Sequence, residues 1–284
     1  MNFDFCNKHG KLIIMITSLI LQLRSPENVV LPATLGQAGQ SLLYRLIQSH
    51  DSDLATRIHD TAGLKPLTAS GLLMGKLQGR DVHIQAEEDG WIRFTGLNQE
   101  VSKCLLNIVK NPPHKVELDH VQFIVTHATI NPDEHIWAGT TTYQDLSRKF
   151  LLSTAKHPRH IALKFFSPTT FRRKGKFLPL PLPDLVFGSL LDRWQLFAHI
   201  ALHPDVRRFA DEMVMVKNFN IRSRAKPYKQ RAFIGFTGEV SFQVMNQDHY
   251  WISVLSMLAE FSFYSGIGYR TSVGFGQVKK LGNV

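Results

Sequence analysis

The same order of apolar periodicities occurs twice along this chain, and that duplication constrains the fold more than any single motif. In the first half a strand is expected over residues 15–24, stopped by Pro26 and Pro32. Helical spacing follows over 36–48, with Leu42, Leu43, Leu46 and Ile47 on one face and Tyr44 well away from it. Asp51, Ser52 and Asp53 form an N-cap cluster for a short second helix with Leu54, Ala55 and Ile58 inward and Gly63 as its stop. Strand-like pieces come next at 70–77, 81–86 and 90–95, then a helix over 98–110 and an alternating strand over 115–126. The second half gives a strand at 160–167, a helix at 183–202 and strands at 213–222 and 232–242. A helix at 246–263 and a strand at 275–281 complete it. Setting aside the short second helix and taking the three short pieces at 70–95 as the middle strand pair, each half reads β-α-β-β-α-β, the split βαβ arrangement. The expectation is an α+β chain of tandem ferredoxin-like (βαββαβ, RRM-like) domains over 15–159 and 160–284. Residues 1–14 then form an N-terminal extension, with Met15 a native or alternative start.

With 284 residues, 44% of them hydrophobic, the chain can build one large core or two of moderate size. Its two cysteines, Cys6 and Cys104, fit neither a disulfide framework nor a metal spacing, which suits a reducing cytoplasm. The apolar run at 12–23 is too short to span a bilayer and is followed by Arg24, Ser25 and Pro26, not by a small-residue cleavage site. It reads as a buried strand, and no membrane association is expected.

Charge points to a polyanion. Lys plus Arg exceed Asp plus Glu by ten and the pI is about 9.7, and each neutralised phosphate adds affinity through counterion release. The excess is clustered. Arg172, Arg173, Lys174 and Lys176 form one run inside an irregular, proline-containing segment at 167–183. Arg222, Arg224 and Lys226 form another at the two-residue spacing that puts strand side chains on one side. Lys229 and Arg231 continue it across a hairpin turn expected at Pro227. Near the C-terminus, Gly266, Gly268, Gly274 and Gly276 bracket Arg270, Thr271 and Ser272, with Lys279 and Lys280 in the strand beyond. A dinucleotide fingerprint needs a strand before its glycines and a helix after them; here the order is inverted. The loop is expected to turn backbone N–H groups towards phosphates instead. No helix-turn-helix, zinc spacing, basic zipper or RNP1 sequence is present, and A-form RNA is read largely by shape and phosphate contacts. RNA is therefore the expected partner.

These residues resemble the CRISPR-associated endoribonucleases that process precursor crRNA, the Cas-six family of the RAMP superfamily. The likeness rests on the C-terminal glycine loop, on Ser167 to Lys176 with Leu178, Pro179 and Val186 to Leu190, and on Leu42 to Tyr44, Leu54 to His59 and Lys65. It implies metal-independent, cofactor-free cleavage of CRISPR repeat RNA, in which a 2′-hydroxyl attacks the adjacent phosphate to leave 2′,3′-cyclic phosphate and 5′-hydroxyl ends. His59 would carry a proton, Tyr44 would be its complement or orient the ribose, and Lys65 would stabilise the charged phosphorane. His50 is the alternative histidine, and ground-state phosphate binding is the alternative task for Lys65. Other Cas effector subunits and a homodimer are further candidate partners. A second reading is a non-catalytic crRNA-binding subunit of an effector complex. A third, a general basic scaffold, requires the glycine loop to be accidental.

Overall fold

The computed structural model describes residues 14–282 apart from Thr34, Lys229 and Gln230, and leaves out the side chains of Pro227 and Arg231. The first half runs β1 (Met15–Arg24), β2 (Val29–Pro32), α1 (Leu35–His50), α2 (Ser52–Asp60), β3 (Leu67–Ala69), β4 (Lys76–Gln78), β5 (Asp81–Ile84), β6 (Asp89–Gly96), α3 (Gln99–Lys110), β7 (Lys115–Leu118), β8 (Val121–Thr129), β9 (Gly139–Thr142) and α4 (Tyr143–Leu151). Its main sheet has the order β3-β6-β1-β8-β7, with β9 also paired to β1, and every pairing is antiparallel. The second half runs β10 (His160–Thr169), β11 (Phe171–Arg173), β12 (Lys176–Leu178), α5 (Pro183–Phe197), α6 (Val206–Met213), β13 (Val214–Tyr228), β14 (Arg231–Val244), α7 (His249–Ser265) and β15 (Val278–Lys280). Its sheet order is β13-β14-β10-β15. β1 lies between β6 and β8, and β10 between β14 and β15, the placing of the first strand that ferredoxin-like connectivity requires. The fold is a tandem of ferredoxin-like units.

β1 shows why its sequence is apolar on both parities. Leu19, Leu21 and Leu23 join the core under α1 and α3, whereas Ile16 packs with the second half's core and Ile20 with Trp137. A central strand covered on both faces loses the polar-out alternation of a half-exposed one. Arg93 of β6 crosses the same junction fully buried. Its Nε donates to Ser18 Oγ at 2.7 Å, Nη1 to Gln277 Oε1 at 2.8 Å and Nη2 to the Phe263 carbonyl at 2.5 Å. The guanidinium also touches the stacked rings of Trp137 and Phe263, 4.6 and 4.4 Å from their centroids.

Several local expectations change. The strand expected at 70–77 is instead β3, three residues earlier, followed by a loop and then β4 in a small separate sheet β2-β5-β4. The single strand at 115–126 folds back at Asp119 and His120, both left-handed at φ 51° and 68°. The helix at 183–202 ends at Phe197, and α6 occupies the approach to β13. Residues 167–183 are not simply irregular. They contain the β11–β12 hairpin, whose two-residue turn, Lys174 and Gly175, has φ 49° and 77°, the double positive φ of a type I′ turn. Pro227 is not a turn residue; β13 continues through Tyr228, and Pro227 pairs with Ala232. Ile14 is already buried in the core, so what remains of the extension, residues 1–13, lies outside the described residues.

Candidate active site and nucleic-acid interface

The three candidate catalytic residues come from two helices and the loop after them. Asp51 accepts the Leu54 N–H at 2.8 Å and starts α2 immediately after α1 ends, so the two helices pack as a pair. Tyr44, half-buried, rests against the core beneath α1, and burial pushes its phenol above the ordinary range. His59 in the last turn of α2 stands edge-on to Tyr44, with ring centroids 6.0 Å apart at 73°. The imidazole side chain is 78% exposed, and its Nδ1 lies 3.0 Å from Asp60 Oδ1. His50, the alternative, is exposed at the end of α1.

Lys65 joins them differently from expectation. Its ammonium donates to the carbonyls of Ile58, His59 and Thr61 at 2.5, 2.7 and 2.7 Å. Those are orphan acceptors at a helix end, and three bonds use all three N–H donors of a lysine. Burial, partly opposed by Asp60, pushes this ammonium below its ordinary value. Lys65 thus ties down the turn that carries His59. Gly63, expected as the helix stop, lies beyond the Thr61 cap at φ 88°, where the chain turns back towards that amine.

The glycine loop meets this helix pair at the start of α1. Gln40 Nε2 donates to Ser272 Oγ at 2.9 Å. Gly36 lies against the Val273 carbonyl, where any Cβ would collide. The loop's N–H groups are largely engaged within the protein rather than free for phosphates: Gly266 on the Ser262 carbonyl at 2.9 Å, Gly268 on Ser189 Oγ at 2.9 Å and Gly276 on the Pro168 carbonyl at 3.1 Å. Thr271 is buried, with its Oγ1 facing Arg193 Nη2 at 3.3 Å. Gly274 offers its carbonyl to Lys226 Nζ at 2.6 Å. That amine lies 5.0 Å from the Phe275 ring centroid, and burial lowers its pKa to about 8. Lys226 is therefore separated from Arg222 and Arg224, which remain exposed.

Arg270 is also committed. Held left-handed at φ 62°, it lays its guanidinium over Tyr228 at 4.0 Å, with Tyr269 and Phe233 at 5.0 and 5.3 Å, and its Nε is buried without an acceptor. Phe177 on β12 packs against Phe233 and Tyr269 at 4.8 and 5.6 Å. One aromatic cluster therefore gathers the β11–β12 hairpin, the β13–β14 ribbon and the glycine loop, so the expected basic runs lie side by side. Arg172, Lys174 and Lys176 are exposed on the hairpin, while Arg173 pairs with buried Asp184 at 3.1 Å. Lys229 lies outside the described residues, as does the side chain of Arg231. A cleft of about 670 Å³ between the two halves, lined by Trp91, Trp137, Phe166 and Arg224 among others, had no sequence counterpart. Nor did Arg93, although a single arginine within Trp91-Ile-Arg-Phe94 is a visible signal of a buried cation.

Residues 15–148 match the family described as CRISPR Cas6 N-terminal domain, and residues 163–278 match CRISPR-associated endoribonuclease Cas6. The chain belongs to the Cas6 family. A Mycobacterium tuberculosis CRISPR-associated endoribonuclease Cas6 is 28% identical over 123 residues, 43% of this chain and 38% of that protein, so the match spans well under half of the relative. Among solved structures, a Cas6 product complex is 27% identical, with a TM-score of 0.75, covering 94% of this chain and 100% of its own. A Thermus thermophilus Cas6 is 23% identical with a TM-score of 0.72, covering 94% and 99%, and shares the fold.

Proposed function

We propose that this Cas6 chain is a metal-independent endoribonuclease that cuts CRISPR repeat RNA in precursor crRNA. The observation that carries the reading is the placement of His59, exposed and edge-on to Tyr44, beside a helix seated on the glycine loop. Membership of the Cas6 family and the product complex of a 27% identical relative support it.

In the proposed reaction the ribose 2′-oxygen attacks the adjacent phosphorus in line as the bond to the 5′-oxygen breaks. The 2′-hydroxyl proton is removed, and the leaving 5′-oxygen gains one. The products are a 2′,3′-cyclic phosphate and a 5′-hydroxyl. A positioned acid or base contributes about 10²–10⁴-fold to such a step. His59 is the proton carrier; Tyr44, its phenol kept protonated by burial, donates a hydrogen bond to the ribose or a phosphate oxygen. Lys65 is a positioning residue, because its amine already serves the α2 carbonyls. Chemistry belongs to the first half, in the cytoplasm's reducing milieu, and RNA retention to Arg172, Lys174, Lys176, Arg222 and Arg224 of the second.

The engaged amine of Lys65 gives weight to the second reading, a non-catalytic crRNA-binding subunit. Incubating the chain in EDTA with the repeat of the CRISPR array beside its gene separates the two. A single cut is expected, whereas tight binding with no cut overturns the nuclease reading.

A further inference from the structure

A polar cavity of about 300 Å³ opens between α1 and the β7–β8 turn, lined chiefly by Gln37, Ser41, Arg45, Glu117, Asp119 and His120. Its position relative to the proposed active site follows from helix geometry. At 100° per residue, Tyr44 lies about 40° round α1 from Gln40, and Ser41 and Arg45 lie about 60° and 100° further in the same sense. Gln40 holds the glycine loop through Ser272. The exposed ridge of α1 is thus walled by the loop on one flank and by the β7–β8 turn on the other, with Tyr44 between them. Residues three apart on a helix are neighbours, so Ser41 in the cavity wall is one turn of α1 from Tyr44.

The lining is specific in its chemistry. The chain carries a net charge of +10, yet Glu117 and Asp119 stand exposed here, across the cavity from the helix that carries Tyr44. A carboxylate repels phosphates; what it can accept from RNA is a ribose 2′-hydroxyl or the N–H of a base, and only the base distinguishes one nucleotide from another. Opposite them, one N–H of the Arg45 fork is fixed by the Glu117 carbonyl at 2.5 Å, which orients the guanidinium beside the cavity. Glu117 is partly engaged by Gln122 Nε2 at 3.3 Å, whereas Asp119 lines the cavity from the tip of the β7–β8 turn. Guanine is the base that offers adjacent N1–H and N2–H donors to a carboxylate and O6 and N7 acceptors to an arginine. The volume is at the small end for ligand pockets, about 300–1,000 Å³, suited to one nucleoside and not to a duplex.

We propose that this cavity receives one unpaired guanine within one or two nucleotides of the cleaved bond, read by Arg45 and Asp119. The proposal rests on the ribonuclease reading above. The test uses the full chain and its own array's repeat, with each guanine within three nucleotides of the cut replaced in turn by adenine and by inosine, which lacks the N2 amine. Affinity and cleavage rate are measured for the wild type, Arg45→Met and Asp119→Asn. At one such position adenine should weaken wild-type binding about tenfold or more, while costing either variant less than about twofold; other positions should be unaffected by the variants. Asp119→Asn changes no shape on an exposed turn, so it keeps the test decisive if Arg45→Met fails to fold. Cutting with no position-specific coupling overturns the pocket alone. Coupling at one guanine without cutting contradicts the nuclease reading and with it the pocket's placement beside a cleaved bond, leaving guanine recognition alone. Absence of repeat binding overturns both.

Discussion

His59 and Lys65 are six residues apart and answer to different physics. His59 offers its ring to solvent and to Tyr44, so removing it takes away a proton carrier and little packing. His59→Ala is expected to lower the cleavage rate by at least 10² while repeat affinity, measured by filter binding, stays within about twofold. A variant that cuts at the wild-type rate removes His59 from the mechanism. Lys65→Met instead leaves three helix-end carbonyls without their donor, two of them open to water, a loss of about 0.5–1.5 kcal/mol. Thermal denaturation should show the lower stability, and cleavage should fall through a misplaced His59. A normal melting temperature with lost cleavage assigns the charge-stabilising task to Lys65 after all. The resemblance to the Cas-six family named Tyr44, His59 and Lys65 as one group, and the structure sets His59 beside Tyr44 and the Lys65 amine on the His59 carbonyl. The sequence could not show where an amine on a flexible four-carbon stem would find its acceptors, because that depends on which carbonyls the α2 terminus leaves open.

Elements were legible where a local signal fixed them. Asp51 capped α2 where the sequence suggested, and the continuous apolar run of β1 marked a strand buried on both faces. Turns made by residues other than glycine were not. Asp119 and His120 carry no strong turn signature, so β7 and β8 read as one strand. The glycine loop was recognised, but its purpose was only half visible: positive φ shows that a loop bends, not whether its N–H groups face a ligand or its own neighbours. The difference alters the expected outcome for Arg270. Its guanidinium is spent on Tyr228, Phe233 and Tyr269, so Arg270→Ala should loosen the junction of three elements. RNA affinity should drop about tenfold while the slope of log K against log salt barely changes. A slope smaller in magnitude by about 0.7–0.9, the value for one phosphate contact, contradicts this and restores a direct role.

At the scale of the whole molecule, the proposed chemistry and the proposed RNA grip belong to different halves, so their relative placement must be rigid. Arg93 supplies much of that rigidity. A guanidinium stays charged at ordinary pH, and here it is buried without a carboxylate, held by Ser18, Gln277, the Phe263 carbonyl and two aromatic faces. Arg93→Met leaves those acceptors unpaired and should cost about 3 kcal/mol or more. In calorimetry the single expected transition should broaden or split as the halves uncouple; an unchanged, single transition shows that the sheets are coupled by apolar packing alone. The duplicated βαββαβ order made the two halves readable, but the seam between them joins β6 to α7 and the strand end at Gln277, and no local pattern marks contacts between residues so far apart. In the proposed reaction the RNA's own 2′-hydroxyl is the nucleophile. Replacing that one hydroxyl at the cut site by hydrogen, in an otherwise unmodified repeat, tests this most directly: cleavage should cease while binding persists, and continued cleavage at the same bond would contradict it.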